Sequence, residues 1–487
     1  MRFGFCIHEK LRLFASTFIG LHRLLMSCFH FFFFKPTLIG SSRGKHTAVA
    51  FFSRVTFFLL INFNVIFSLP VVALPKPIWF ASLHGQVSAI KVAQGKGSFT
   101  WVQLQFTDTL SGQGYQLVAG KFSQTAWLLL DSVGNVLKAM HFPSAGDQQP
   151  GDVAVAGDGS VVSVGAYLAE APWNLPKGSL LGHGALDAWL MRFHPNGAFD
   201  WGMAAGGFNN DVGLATWVCE KGNIWLAGMG STLAFDNQQI LVGQTGALVA
   251  SFSPNAQIRW ARGFPASVFS AFHDVWVDSI GRTIAVGQFM GDWIVESDTI
   301  KGNAFAQPCM VVLDDKGKAI KAKSILCTGD AVLEQATGVG KLGYALAGQY
   351  QGKICSESDT LFGEDGVFHS FVWWLNREFS GNRLSAFPSS STQGTPAICQ
   401  ATGDGMWLGY VTASSSQDGI SSTIRVQHLR GPDSIEATEE FSMPYATRVC
   451  GIQTTAAGRI LIWGEAHVGP SRASTRCWMK EMPMPRP

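Results

Sequence analysis

Charge is what this chain has least of. Charged residues are 14% of the total, against about a quarter in an average soluble domain. Its 36 basic and 34 acidic residues leave a formal charge of +2, which offers no basic footprint for nucleic acid. Chemistry-bearing spacings are missing as well. The nine cysteines form no CxxC or CxxH pair, so neither a zinc site nor a disulfide framework is indicated. GxSxG, HExxH, Walker-type loops and paired carboxylates do not occur in a usable context. No catalytic, cofactor-binding or metal-binding residue is therefore named, and no cofactor is implied. Long helical periodicity is absent too, and the load of 54 Gly, 16 Trp and 36 Phe excludes a coiled coil. What remains is an apolar, glycine-rich chain, 47% hydrophobic, too apolar to be disordered.

The small net charge hides two unlike segments. Residues 1–73 hold 15 Phe, eight basic residues and one acid, Glu9, whereas the rest of the chain carries 28 basic and 33 acidic residues. Arg54 precedes an apolar run over residues 55–73, with Val71 and Ala73 at positions that suit signal cleavage and Pro75 and Pro77 just beyond. Residues 1–73 read as a leader containing a signal peptide or, if uncleaved, a signal anchor, which would be the chain's one contact with a membrane. The expected setting is secreted, periplasmic or cell-envelope. No Cys follows the run directly, so a lipoprotein anchor is not expected. The earlier apolar stretch contains Arg12, His22, Arg23 and His30, costly at membrane depth. A leader of this length also exceeds the usual signal, which places the natural start near residues 49–55.

Beyond the leader one pattern recurs: Gly, alternating apolar residues, then a second Gly six positions on. It reads GSVVSVG from Gly159, GNIWLAG from Gly222, GRTIAVG from Gly281, LGYALAG from Leu342, GDGMWLG from Gly403 and GRILIWG from Gly458. A degenerate copy, GSFTWVQ, starts at Gly97, so the copies are spaced 55 to 63 residues apart. Each is preceded by a short β-rich stretch. It is followed by an apolar strand such as AWLMRFHPNG at residues 188–197, and by a turn and a further strand such as IRWARGF at residues 258–264. Four strands joined by tight polar turns make each unit. One such unit cannot bury both faces alone, and stacking of units solves this. The expected fold is all-β: a seven-bladed β-propeller over residues 77–487, of four-stranded antiparallel blades. The seventh copy lacks a fourth strand before the chain ends. PIWFASLHG at residues 77–85 resembles the other fourth strands, so the N-terminal strand is expected to close the last blade.

These units resemble the seven-bladed-propeller-like repeats of secreted bacterial proteins. Residues 187–223, DAWLMRFHPNGAFDWGMAAGGFNNDVGLATWVCEKGN, carry most of that family's pattern. The resemblance implies fold and export and names no activity, because such repeats host many roles.

Loops ahead of the innermost strands are expected to gather at one face around a central channel, where propellers place ligands. Asp147, Asp152, Asn209, Asn210, Asp211, His273, Asp274 and Asp330 are assigned to them as candidate ligand-face residues. Short polar residues that simply make the turns are the competing reading. The small repeats TDTLSG, SDTIKG and SDTLFG, from Thr107, Ser297 and Ser358, are expected to be Asx-type turns rather than calcium loops, having one carboxylate each. Most Trp fall in repeating strands, while Trp173 and Trp293 fall in variable inserts and are candidates for exposed contacts. The leading functional expectation is a binding or scaffold module for a protein or glycan partner. A quinone-cofactor-type propeller enzyme is the alternative, suggested by strand–turn–Trp units such as residues 251–260 but lacking a Thr-Gly-Lys turn. A purely structural surface protein is the third.

Overall fold

The computed structural model describes residues 77–79, 84–95, 99–112, 114–168, 172–235, 238–381, 383–387, 396–416, 419–443, 446–455, 457–467 and 475–483. All lie within the unit Pro75–Pro487, and the leader expected over residues 1–73 falls outside the described residues. Among these the fold is all-β and propeller-like. Among the described residues the one helical element is a three-residue 3-10 turn, Gly340–Leu342, and no helix of theirs is long and apolar enough to cross a membrane.

Among the described residues, seven larger antiparallel sheets each run through four strands. They are numbered by their inner strands: His84–Gln94, Gln148–Val155, Val212–Val218, Phe269–Val277, Ala331–Gly338, Ala397–Gln400 and Ala446–Thr454. Sheet 3 is typical, running outward through Ile224–Phe235 and Gln238–Phe252 to Ile258–Pro265. Sheet 7 takes its fourth strand from the other end of the chain. Pro77–Trp79 lies antiparallel to Thr475–Pro483, with Ile78 opposite Met479.

Burial explains the apolar runs. The third strands Gln124–Leu130 and Gln307–Leu313 are buried at every position, whereas the outermost Val136–His141 is not. Strands covered on both faces lose the polar alternation of half-exposed ones. The core lies between neighbouring sheets. Val164 and Leu190 of sheet 2 cluster with Leu226 and Leu248 of sheet 3. Leu104 and Leu128 of sheet 1 cluster with Leu461 and Met479 of sheet 7. Each such side chain contributes about 1.5–3 kcal/mol on full burial. The inner strand of each sheet also lies against that of the next, and that of sheet 7 against that of sheet 1.

The two glycines of the repeat do different work. The first turns the chain between inner and second strands, as at Gly159 with φ +84°, a conformation that a Cβ disfavours. The second permits close approach: a Cβ on Gly228 would lie 1.9 Å from the carbonyl oxygen of Val212 on the inner strand.

The inserts correct one expectation and extend another. Two of the small repeats stand on hairpins: Trp293–Val295 pairs with Asp298–Ile300, and Lys353–Cys355 with Thr360–Phe362, while the copy from Thr107 lies within the strand Thr100–Gly112. Trp173 and Trp293 are fully buried, not exposed. Their indole N–H groups donate to the Phe142 carbonyl at 2.7 Å and the Phe264 carbonyl at 3.2 Å. The inserts fold back over the ends of the sheets and pin a ring there.

Candidate functional site

The inner strands build a polar cavity by carrying an extra residue at equivalent places. The register slips between Pro150 and Asp152, Gly213 and Ala215, Phe272 and Asp274, Leu333 and Gln335, and Val449 and Gly451. A further slip separates Ser88 from Lys91. Bulges re-aim side chains, and the extra residues Gly151, Leu214, His273, Glu334 and Cys450 all line one cavity of about 380 Å³. Lys91, Arg448 and Glu465 line it as well.

A second cavity of about 400 Å³ is lined by residues of all seven inner strands, among them Gln94, Asp152, Thr216, Asp274, Ala336, Ile398 and Gln453. Several of these stitch adjacent strands together. Asp152 Oδ2 accepts from the Thr216 N–H at 3.1 Å, and Asp274 Oδ2 from the Ala336 N–H at 2.7 Å. Gln335 Oε1 accepts from the Ile398 N–H at 2.8 Å, and Gln453 Oε1 from the Gln94 N–H at 3.0 Å. Two neighbouring strands of different sheets expose backbone donors to each other, and these side chains satisfy them.

Burial pushes the Asp152 carboxyl upward against the pull of Lys91. It pushes Asp274 up to about 7, with the Asp152 charge adding to the shift. Burial lowers His273, opposed by Glu334 and reinforced by Lys91. Its Nε2 is buried and without a hydrogen-bond partner. So are Gln94 Oε1 and the Trp463 indole nitrogen, both residues of the second cavity's wall.

The eight sequence candidates separate into three groups. Asp152, His273 and Asp274 face the cavities, but from within the inner strands of sheets 2 and 4 rather than from the loops ahead of them. Asp147, Asp211 and Asp330 each stand just before an inner strand and hold the connection. Asp147 Oδ1 accepts from the Ser123 N–H and hydroxyl, both at 2.8 Å. Asp330 Oδ1 accepts from the Ala306 N–H at 2.9 Å, and Asp211 Oδ2 from the Gly207 N–H at 2.8 Å. Asn209 and Asn210 are exposed beside Phe208. Sequence reading missed Lys91, Glu334, Arg448 and Glu465. In sheets 2, 3, 4, 5 and 7 the trace of the bulge was the second glycine of the repeat, which stands opposite it.

Exposed apolar side chains occur at both ends of the sheets. Phe122, Leu181, Phe208, Val268, Phe305, Leu326 and Phe368 lie where the chain leads into first or third strands, with Phe208 93% exposed. Phe99, Val133, Ile280 and Leu342 lie at the opposite end, as do Leu137, Ile320 and Ile435 at the starts of outermost strands. That opposite end also holds a cavity of about 500 Å³ beside Trp276, Arg282 and Tyr344. There Arg282 is fully engaged, donating to Asp278 at 2.7 Å and to the Tyr344 hydroxyl at 2.5 Å, over the Phe379 ring at 4.7 Å. Among the described residues no cluster of three or more His, Cys, Asp or Glu could hold a metal.

No family model matches the chain, and no curated protein matches it either. Solved structures match much of the chain at low identity, with TM-scores below 0.5. The NanB sialidase of Streptococcus pneumoniae is 8% identical, with 86% of this chain and 72% of that chain covered and a TM-score of 0.43. The polysaccharide lyase Uly1 is 11% identical, with 82% and 90% covered and a TM-score of 0.42. The GH93 α-L-arabinofuranosidase of Fusarium graminearum is 9% identical, with 84% and 97% covered and a TM-score of 0.39.

Proposed function

We propose that the chain is an exported seven-bladed β-propeller that acts as a binding module, docking a partner protein on the end where the chain enters its inner strands. The observation that carries this reading is Phe208, at 93% the most exposed large apolar side chain among the described residues, which stands on that end with Leu181, Val268 and Phe305. Apolar groups gathered on one face mark interaction surfaces, whereas scattered ones need no explanation. The ring is supported by contact between the inner strands of sheets 7 and 1 and by the pairing of Pro77–Trp79 with Thr475–Pro483. Export is supported by the basic flank and apolar run at residues 54–73. The propeller supplies a rigid frame, and the inserts and connections on its entry end supply the recognition surface.

A photo-crosslinking residue placed at Phe208 or Phe305 in living cells tests the docking face. Both positions are expected to give an adduct with the same partner, and the same probe at Ile280 or Leu342 none. Equal labelling from the two ends, or none from Phe208 and Phe305, sinks the reading. N-terminal sequencing of the protein from cell fractions tests the leader: a start after Ala73 supports cleavage, and a chain retaining residues 1–45 overturns the downstream start.

A further inference from the structure

The cavity formed by the bulges has a property that docking on the end face does not use. It holds charges of both signs, Lys91 and Arg448 against Glu334 and Glu465, contributed by sheets 1, 5 and 7. Among the described residues no ion pair joins any two of these four side chains, although Arg448 is hydrogen-bonded to Cys450 and feels the charges of Glu465 and Glu334. Glu465 is partly engaged, accepting from the Ile90 N–H at 3.4 Å. Glu334 and Arg448 keep exposed surface although they sit on the cavity wall. His273 adds a buried ring nitrogen with no partner.

Of the four charged groups Glu465 is buried, while Lys91, Glu334 and Arg448 reach the water of the cavity and are open to a ligand. An unpartnered buried polar atom such as His273 Nε2 is costly, and that cost falls when a ligand brings the missing partner. The composition restricts which ligand does so. An anion alone would satisfy Lys91 and Arg448 while facing two carboxylates, and a cation alone would meet the reverse problem. A molecule carrying both charges satisfies both sides. The volume, about 380 Å³, is that of about a dozen waters at 30 Å³ each, so the occupant is small. The wall is made of hydrogen-bonded strands rather than loops, so the groups are held in place before binding.

We infer that this cavity is a binding site for a small zwitterion of the amino-acid type, its carboxylate directed to Arg448 and Lys91 and its ammonium to Glu334, with His273 completing the hydrogen bonds. The site does not depend on which partner docks on the end face.

The test uses the purified full-length protein and the twenty L-amino acids singly, read by thermal shift and by calorimetry. At least one is expected to raise the melting temperature and bind saturably. Its N-acetyl and methyl-ester derivatives, each lacking one charge, are expected to bind about tenfold more weakly or worse. Glu334→Gln is expected to lose a similar factor, and so is Arg448→Met, with Lys91→Met in its place should Arg448→Met not fold. Failure of all twenty overturns the inference. So does a derivative that binds as well as its parent, or preferential binding of monosaccharides or inorganic phosphate.

Discussion

Asp274 joins two sheets and suffers for it. Its carboxyl accepts the Ala336 N–H at 2.7 Å, and burial beside Asp152 holds its pKa at about 7, up from the ordinary 3.8. Between those values the folded state binds more protons than the unfolded one, so stability falls as pH rises through that window. Asp274→Asn keeps an oxygen acceptor and removes the buried charge. It is expected to gain on the order of 1–2 kcal/mol at pH 8, less than the full shift implies at 1.36 kcal/mol per unit, and nothing at pH 4. Urea melts of both proteins at the two pH values check this, and a gain that is the same at both would refute it. The polar character of Asp152, His273 and Asp274 was legible in the sequence. Their partners were not, because they are backbone donors of the next sheet, such as Thr216 and Ala336, which carry no side-chain signature. Asp147, Asp211 and Asp330 look identical to a cavity residue in one dimension, yet each stands where a connection needs an acceptor.

The four main strands of each repeat were legible in order because one pattern recurs along the chain, whereas the small strands of the inserts were not. The bulges were not, since an extra residue leaves the run of apolar positions almost unchanged. Their trace is the second glycine. Where the inner strand bulges, its carbonyl crowds the second strand, as Val212 crowds Gly228 at 1.9 Å. In sheet 6 the register Ala397–Gln400 runs without a slip. There a Cβ on the corresponding Gly409 would meet the flexible end of Ile462 at 2.9 Å. Gly228→Ala is thus expected to cost about 2–4 kcal/mol, as backbone displacement does, and Gly409→Ala less than about 1 kcal/mol. Equilibrium denaturation compares them directly, and equal losses would remove the link between glycine and bulge. Trp173 and Trp293 show the same limit in the inserts. Nothing local to either ring reveals that a carbonyl 31 or 29 residues away in chain order, that of Phe142 or Phe264, receives its N–H.

At the scale of the whole molecule, the proposed ring depends on a pairing between the two ends of the described chain. The likeness of residues 77–85 to the other fourth strands made that pairing legible, and Ile78 does lie opposite Met479. Sheets 1 and 7 bury Leu104, Leu128, Leu461 and Met479 in one cluster, so opening the ring would expose apolar surface on both. A reversible lock measures how much the junction matters. Cysteines placed at Ile78 and Met479 would close a loop of about 400 residues, for which chain entropy alone allows a gain of up to about 6 kcal/mol. Cys477 is buried and burial raises its thiol far above the ordinary value, which keeps it a poor competitor for the new bond. The oxidised Ile78→Cys/Met479→Cys variant is expected to melt well above its reduced form, and peptide mapping should show the designed bridge. A bridge that forms without shifting the melt would mean that the ends separate only after the sheets have already come apart, and the N-terminal strand would not be what closes the ring.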